Sequence, residues 1–400
     1  MYKYIAMLCC MSILSIHSII AQEYSTITIE KAIEIAIKQD PTIILAELKV
    51  LQSDKQSEVG LATQPTQISF SGEEFNFEGV SGIQSLNIQQ TFYLPGVSNK
   101  YKAYNRSKSN KYKALGRLTK KEVIRNVESA YYKLAIAKQE LIVRQNAKAI
   151  YSNFLERSRE TYQAGESNKI AMTTAENMLK KAKLNIDHAT HEIDVARSLF
   201  NVWLGNTGLY DVQAVTDYEK FNYEIESEEY GIHLDIYDLE KEVIDRKVEI
   251  QKSNLLPQIN TGLRLQSLNG DVLYFGYQVG INIPIARGSY KKQVEATKVG
   301  IEIVAAEKVV KQRAIEYKTI KLKGHLEHLD EKLEVYNKDL LPSIQEQIDL
   351  LKEAYQAGEG NYMEYMMTIE SYDNLQIEKV ELLEDYYQTM VELKYWTTIN

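Results

Sequence analysis

The sequence predicts a mainly helical protein with a β-hairpin in each of two repeated halves. Three observations lead there. Tyr162-Gln163-Ala164-Gly165-Glu166 recurs as Tyr355-Gln356-Ala357-Gly358-Glu359, 193 residues on. Pro65 and Pro257 each precede a Gln-Ile pair, and Pro95 and Pro284 each close a strand-like segment and open a helical one. Marks that return in one order at nearly one spacing are the signature of a duplicated unit of about 190 residues. Second, apolar residues recur at alternating steps of four and three in two long stretches; third, they recur at steps of two in shorter ones. The halves run over 22–204 and 230–400, with a short acidic connector at 205–229 between them.

Composition narrows the function classes. The 400 residues carry a net charge of −8 with acids and bases mixed. No basic stripe stands out to neutralise phosphates, so no nucleic-acid partner is expected. Met-Tyr-Lys-Tyr, the apolar run Ile5 to Ile20, and Ala21-Gln22 read as a signal peptide over 1–21, with a buried first helix as the other reading. Cys9 and Cys10 both fall inside it, so the mature chain has no thiol for disulfides, metals or chemistry. No later stretch holds the ~18 apolar residues of a transmembrane helix. An exported chain of this kind is either soluble or crosses a membrane as a β-barrel. There is no nucleophile–base–acid set, phosphate loop or cofactor motif, so neither an enzyme nor a cofactor is expected. The pairs His188/His191 and His325/His328 suit a coiled-coil surface better than a metal site.

In chain order, Ala32, Ile33, Ala36 and Ile37 mark a short amphipathic helix ending at Asp40-Pro41, and Thr42 to Thr63 a second that closes before Pro65. Gln67–Gly72 and Ile83–Tyr93 are the first pair of strands. In the second pair, Ile259, Thr261, Leu263 and Leu265 alternate with polar residues. After a turn at Asn269-Gly270-Asp271, Leu273, Phe275, Tyr277, Val279, Ile281 and Ile283 form one apolar face. That period fits a strand with lipid on one side and water on the other; a half-buried hairpin on a soluble core gives the same pattern. Long helices follow each hairpin, Gly96 to Thr161 and Ala286 to Glu353. Val123, Val127, Ala130, Leu134, Ala137 and Leu141 in the first, and Leu322, Leu326, Leu329, Leu333, Tyr336 and Leu340 in the second, keep the seam spacing of a coiled coil. The first arm, roughly 65 residues, would reach about 97 Å. Two shorter helices stacked end to end match each arm, which suits a tall cylinder better than a globule.

This order of elements resembles the outer-membrane efflux family, the TolC-like trimeric channel-tunnels of tripartite pumps and type I secretion systems. The resemblance rests on Tyr-x-x-Gly in both halves, on Ala32-Ile33 leading to Asp40-Pro41, and on Leu341-Pro342 thirteen residues before Tyr355. It implies a homotrimer in which each chain gives four strands to a twelve-stranded β-barrel in the outer membrane and its helices to a long coiled-coil α-barrel reaching into the periplasm. It implies as partners outer-membrane lipid, a periplasmic adaptor and an inner-membrane pump of RND or ABC type. It places a pore constriction near Tyr162, Gly165, Tyr355 and Gly358. Glu364, nine residues after Tyr355, matches an acidic ring position, whereas the first half has Ala171 there; the ring would hold three carboxylates, attracting cations. A solvated helix residue is the other reading of Glu364. Gly360 stands where some members carry an arginine, which removes one salt bridge. Glu166, Asn168, Glu359 and Asn361 are candidates for docking the adaptor. Gln90 to Gly96 is similar to channels paired with heavy-metal pumps. The expected function is a passive exit duct for drugs or metal cations. The alternatives are a protein secretion duct of the same fold and a soluble periplasmic coiled-coil adaptor, which explains the heptads but not the Leu273–Ile283 face.

Overall fold

A computed structural model describes residues 24–74, 82–165, 168–206, 208–221, 231–268, 270, 272–285, 287–357 and 361–397. The signal-peptide segment, Glu166, Gly358 and Glu359 lie outside these residues. In order the elements are β1 (Ser25–Thr26), α1 (Ile29–Gln39), α2 (Pro41–Ser57), β2 (Gln67–Glu73), β3 (Ile83–Tyr93), α3 (Val97–Gln163), α4 (Lys169–Trp203) and β4 (Tyr210–Asp211). Then come α5 (Ile232–Ser253), β5 (Gln258–Leu268), β6 (Val272–Asn282), α6 (Arg287–Val335), a π-turn (Tyr336–Leu340), α7 (Leu341–Gln356) and α8 (Tyr362–Thr397). The chain divides into two compact units, each drawn from both halves of the sequence: residues 1–39, 126–220 and 329–388 form the first, the remainder the second.

The second unit holds an antiparallel sheet in the order β2-β3-β5-β6. Its helices fall in the same order. Asp54 of α2 takes an ion pair at 2.8 Å from Lys113 of α3. Lys100 and Lys111 of α3 pair with Glu249 and Glu240 of α5. Lys308 of α6 reaches Asp238 of α5 at 2.7 Å. Asp40 starts α2: its carboxylate accepts from Thr42 N at 2.7 Å, ahead of Pro41 at the first helical position. The helix stops at Ser57, six residues short of the predicted Thr63. Gly60 lies just beyond, where a Cβ would meet Ser98 Oγ at 2.1 Å. Past the helix end Asn105 Nδ2 of α3 donates to the Val59 carbonyl at 3.0 Å.

The first unit packs α1, α4, α7, most of α8 and the C-terminal part of α3 around Leu134, Phe200, Leu204, Leu383 and Tyr386, all buried. Tyr132 stacks on Tyr387 at 4.3 Å between centroids, and Tyr131 meets Phe200 edge-on at 6.0 Å. The described part of the connector, 208–221, is held by the unit around it. Its β4 pairs in parallel with β1. The Asn201 amide bonds both the N–H and the carbonyl of Tyr210 at 2.9 Å, filling the place of a neighbouring strand. Lys138 reaches Asp211 at 2.7 Å and the Val212 carbonyl at 2.7 Å. Further on, Lys220 pairs with buried Asp330, and Tyr386 Oη donates to the Glu219 carbonyl at 3.2 Å.

The predicted helix from Ala286 to Glu353 is not continuous. Pro342 has no N–H to give the carbonyl four residues back, and the π-turn at Tyr336–Leu340 precedes it, with Leu341 N bonding the Tyr336 carbonyl five residues back. One extra residue is thereby absorbed. Leu326, Leu329 and Leu333 are buried as the seam predicts, but Leu340 is 40% exposed and Leu341, one residue later, is buried in its stead. The seam steps eight residues from Leu333 to Leu341, then seven to buried Ile348.

Candidate functional site

Two places in the fold bear on function. The first is the sheet of the second unit. Its register stacks the apolar residues into rows that cross all four strands: Phe70, Leu86, Leu265 and Phe275 in one, Ile68, Ile88, Leu263 and Tyr277 in the next. A third row joins Phe92, Ile259 and Ile281. The opposite face carries Ser69, Asn87, Arg264 and Gly276, then Gln67, Gln89, Gly262 and Gln278. Arg264, the charge in those rows, donates to Asn87 at 2.9 Å on the polar side. The apolar face also holds Gln90, whose amide donates to the Gln64 carbonyl at 2.6 Å and accepts from Thr66, so it is satisfied at the rim. Cross-strand rows of this kind are the unit of sheet stabilisation, yet here they are bare: Phe275 is 67% exposed and Tyr277 80%. Among the described residues the outer edges of β2 and β6 are unpaired. Beside them the flanking helices also show apolar stripes, Leu45, Leu48 and Leu51 on α2, and Val299, Ile303, Val310 and Tyr317 on α6. The α6 stripe keeps heptad spacing, so it is a seam without its partner helix.

The second place lies in the first unit, where α3 returns into α4 and α7 into α8. Gly165 takes φ +78°, and its N–H bonds the Tyr162 carbonyl at 3.1 Å, so glycine closes the turn where a side chain would be strained. Asn168 caps α4 by accepting from Ala171 N at 3.0 Å, and Asn361 opens α8 by accepting from Met363 N at 2.9 Å. The two repeated tyrosines differ in surroundings. Tyr162 is exposed, whereas Tyr355 packs against a buried cluster of Phe154, Leu155, Ile348, Tyr365 and Ile369. In it Phe154 stacks on Tyr362 at 5.1 Å and meets Tyr365 edge-on at 5.6 Å, with Tyr355 5.8 Å from Tyr365. Tyr362 Oη donates to the Ala171 carbonyl, tying the start of α8 to that of α4, and burial pushes its hydroxyl up to about 12. Glu364 is exposed in the first turn of α8, where the helix dipole favours a carboxylate.

No family model and no curated protein matches the chain. Solved structures do. CusC, in structures described as bearing on folding and transmembrane channel formation, superposes with a TM-score of 0.79 at 14% identity, over 94% of this chain and 93% of that one. The CmeC outer membrane channel of Campylobacter jejuni gives 0.75 at 14%, over 92% and 85%. The outer membrane protein VceC of Vibrio cholerae gives 0.72 at 13%, over 92% and 95%. The fold is the one shared by these outer-membrane channel structures. Among the described residues no helix is long and apolar enough to cross a membrane, and no group of His, Cys, Asp and Glu is placed to hold a metal ion.

Two features of the chain escaped the sequence reading. One is the clamp on the connector, built by residues far apart in sequence. The other is a basic stripe, which the whole-chain charge had hidden. Residues 97–121 contain nine Lys and Arg and no Asp or Glu. Lys102, Arg106, Lys113, Arg117 and Lys120 fall within about 60° of one another around α3 at 3.6 residues per turn, all at least partly exposed. The signal was legible as a local run rather than as a composition.

Proposed function

We propose that the protein is a passive outer-membrane duct formed by three copies of this chain. It would conduct solutes handed over by an inner-membrane pump through a periplasmic adaptor. The observation that carries this reading is the register-aligned apolar face, eleven residues tall on three of its strands and open at both edges. A strand of about 9–11 residues tilted near 45° is the length a bilayer asks for. A sheet with two unpaired edges is a pairing template unless it closes on copies of itself. The bare α2 and α6 stripes at the same flanks give each copy a helical contact to match the strand contact. A soluble adaptor would leave both unexplained.

Within the duct, the turns at Tyr162–Gly165 and after Tyr355 form the constriction, with Glu364 of each copy contributing one carboxylate to a cation-attracting ring. Since Asn168 and Asn361 spend a side-chain oxygen on capping, they serve adaptor docking by fixing the turns, and Glu166 and Glu359 carry the charge. The test is conductance of the detergent-extracted protein in a planar bilayer, together with its mass. Discrete pores from a trimer are expected. A monodisperse protein that needs no detergent and inserts nowhere would overturn the reading.

A further inference from the structure

We infer that the second unit carries a phosphate-binding collar for anionic phospholipid headgroups, made by Lys102 and Arg106 of α3 and Arg287, Lys291 and Lys292 of α6. The inference rests on the membrane reading of the sheet and adds to it a lipid class and five residues. Eleven strand residues rise about 36 Å, or about 27 Å along the membrane normal at a tilt near 40°, close to the ~30 Å of a bilayer's hydrocarbon. Tyr93 and Asn282, the last residues of β3 and β6, therefore stand at the hydrocarbon edge. The helices that follow begin at Val97 and Arg287. At 1.5 Å per residue Lys102, Lys291 and Lys292 lie about 6–8 Å further on, in the headgroup layer. Arg106, about 14 Å along, reaches back into it with its long side chain.

Charge and pairing single these five out. Lys100, Lys111 and Lys113 on the same stretch of α3 are each engaged by a carboxylate of a neighbouring helix. Among the described residues, none of the five makes an ion pair; Arg106, Arg287, Lys291 and Lys292 are exposed and Lys102 half-exposed. At the other end of the sheet the sign reverses. The described residues there include Glu73, the last of β2, and Glu74 after it, and no Lys or Arg. The apolar sheet is thus acidic at one margin and basic at the other, and a phosphate layer is complementary to the basic margin alone. Basic residues beside a membrane attract anionic lipid with an energy that salt screens within a Debye length.

The test uses the full chain reconstituted in phosphatidylethanolamine vesicles, with spin-labelled phosphatidylglycerol and spin-labelled phosphatidylcholine compared for motionally restricted lipid at the protein. At low ionic strength the wild type should favour phosphatidylglycerol about threefold or more, and 1 M salt should abolish most of that preference. The variant K102Q/R106Q/R287Q/K291Q/K292Q should show none. R117Q/K120Q, on the same helix face but about 30 Å along α3, should keep it. No preference in the wild type, or an equal one in the five-site variant, overturns the collar. If that variant does not assemble, a preference in the wild type that is indifferent to salt overturns it equally. Loss of preference with inorganic phosphate but not with chloride of matched ionic strength would mean a free-phosphate site and would also overturn it. A protein that restricts no lipid of either kind would instead remove the membrane reading beneath the proposal.

Discussion

Arginine at Tyr277, against arginine at the adjacent Gln278, separates a membrane sheet from a soluble hairpin. Tyr277 is the central residue of β6 and stands 80% exposed on the apolar face, in the row with Leu263, Ile88 and Ile68. Gln278 points to the polar face, beside Gly262 and Gln89. If lipid covers the apolar face, Tyr277 sits near the bilayer midplane, where arginine costs about 2–4 kcal/mol. That is about 30- to 900-fold in a folding equilibrium. At Leu273, four residues toward the strand end, the side chain lies about 10 Å from the midplane at a 40° tilt, and the cost should fall to about 0–1 kcal/mol. At Gln278 the arginine faces water and should cost a few tenths of a kcal/mol or less. The assay is urea-dependent folding into phospholipid vesicles, read by the fraction of folded protein on unheated gels. A Tyr277→Arg change no worse than Gln278→Arg, or as costly at Leu273 as at Tyr277, would refute the lipid assignment of this face.

Three further changes probe the rest of the molecule. Glu364→Gln should reduce cation over anion permeability, and an unchanged reversal potential in a salt gradient across a planar bilayer would remove the carboxylate ring. Tyr362→Phe should cost roughly 1 kcal/mol by freeing the Ala171 carbonyl, read as faster amide exchange at the starts of α4 and α8; unchanged exchange there would count against the tie. His233 is buried and faces the Tyr395 carbonyl at 3.1 Å and the Trp396 ring at 4.7 Å. Burial pushes its imidazole below the ordinary value, with Lys121 and Lys311 adding to the effect. The unfolded chain then binds more protons, so stability is full above about pH 6.5 and declines as pH falls through that value toward the folded pKa. Urea midpoints between pH 8 and 5 should show that decline in the wild type, and His233→Gln should flatten it; parallel slopes would exclude His233 as its source.

What the sequence made legible was local and periodic. The span Ile83–Tyr93 was readable to the residue, because side chains two apart report one face directly and Pro95 ends the run. The Leu273–Ile283 face was readable for the same reason. The connector was not, since its order comes from Lys138, Asn201 and Asp330, which no period links to residues 210–220. The turns were half legible. Asn168 and Asn361 have the chemistry of helix caps, and the N–H that each accepts from shows that they act as such. The basic stripe was visible as a local run over 97–121, and the mixed charge of the whole chain concealed it.

The π-turn shows how one residue can defeat a correct period, and it makes a prediction of its own. The heptad count from Leu333 leads to Leu340, yet the buried residue is Leu341, so the chain holds one residue more than the seam can use. If the turn exists to store that residue, Pro342→Ala alone should not remove it, because the misfit between Leu333 and Leu341 would remain. Deleting Lys338, whose side chain is 70% exposed and pairs with Glu334, corrects the spacing to seven. Such an exposed pair is worth little. Combined with Pro342→Ala, which returns the missing N–H and spares the ~3 kcal/mol of an internal proline, the deletion should yield one uninterrupted helix with Leu333, Leu341 and Ile348 still inward. Thermal stability should then equal or exceed that of the wild type. A double variant that unfolds, while Pro342→Ala alone is stable, would mean that the wider turn is itself required, and the spare-residue account would be wrong.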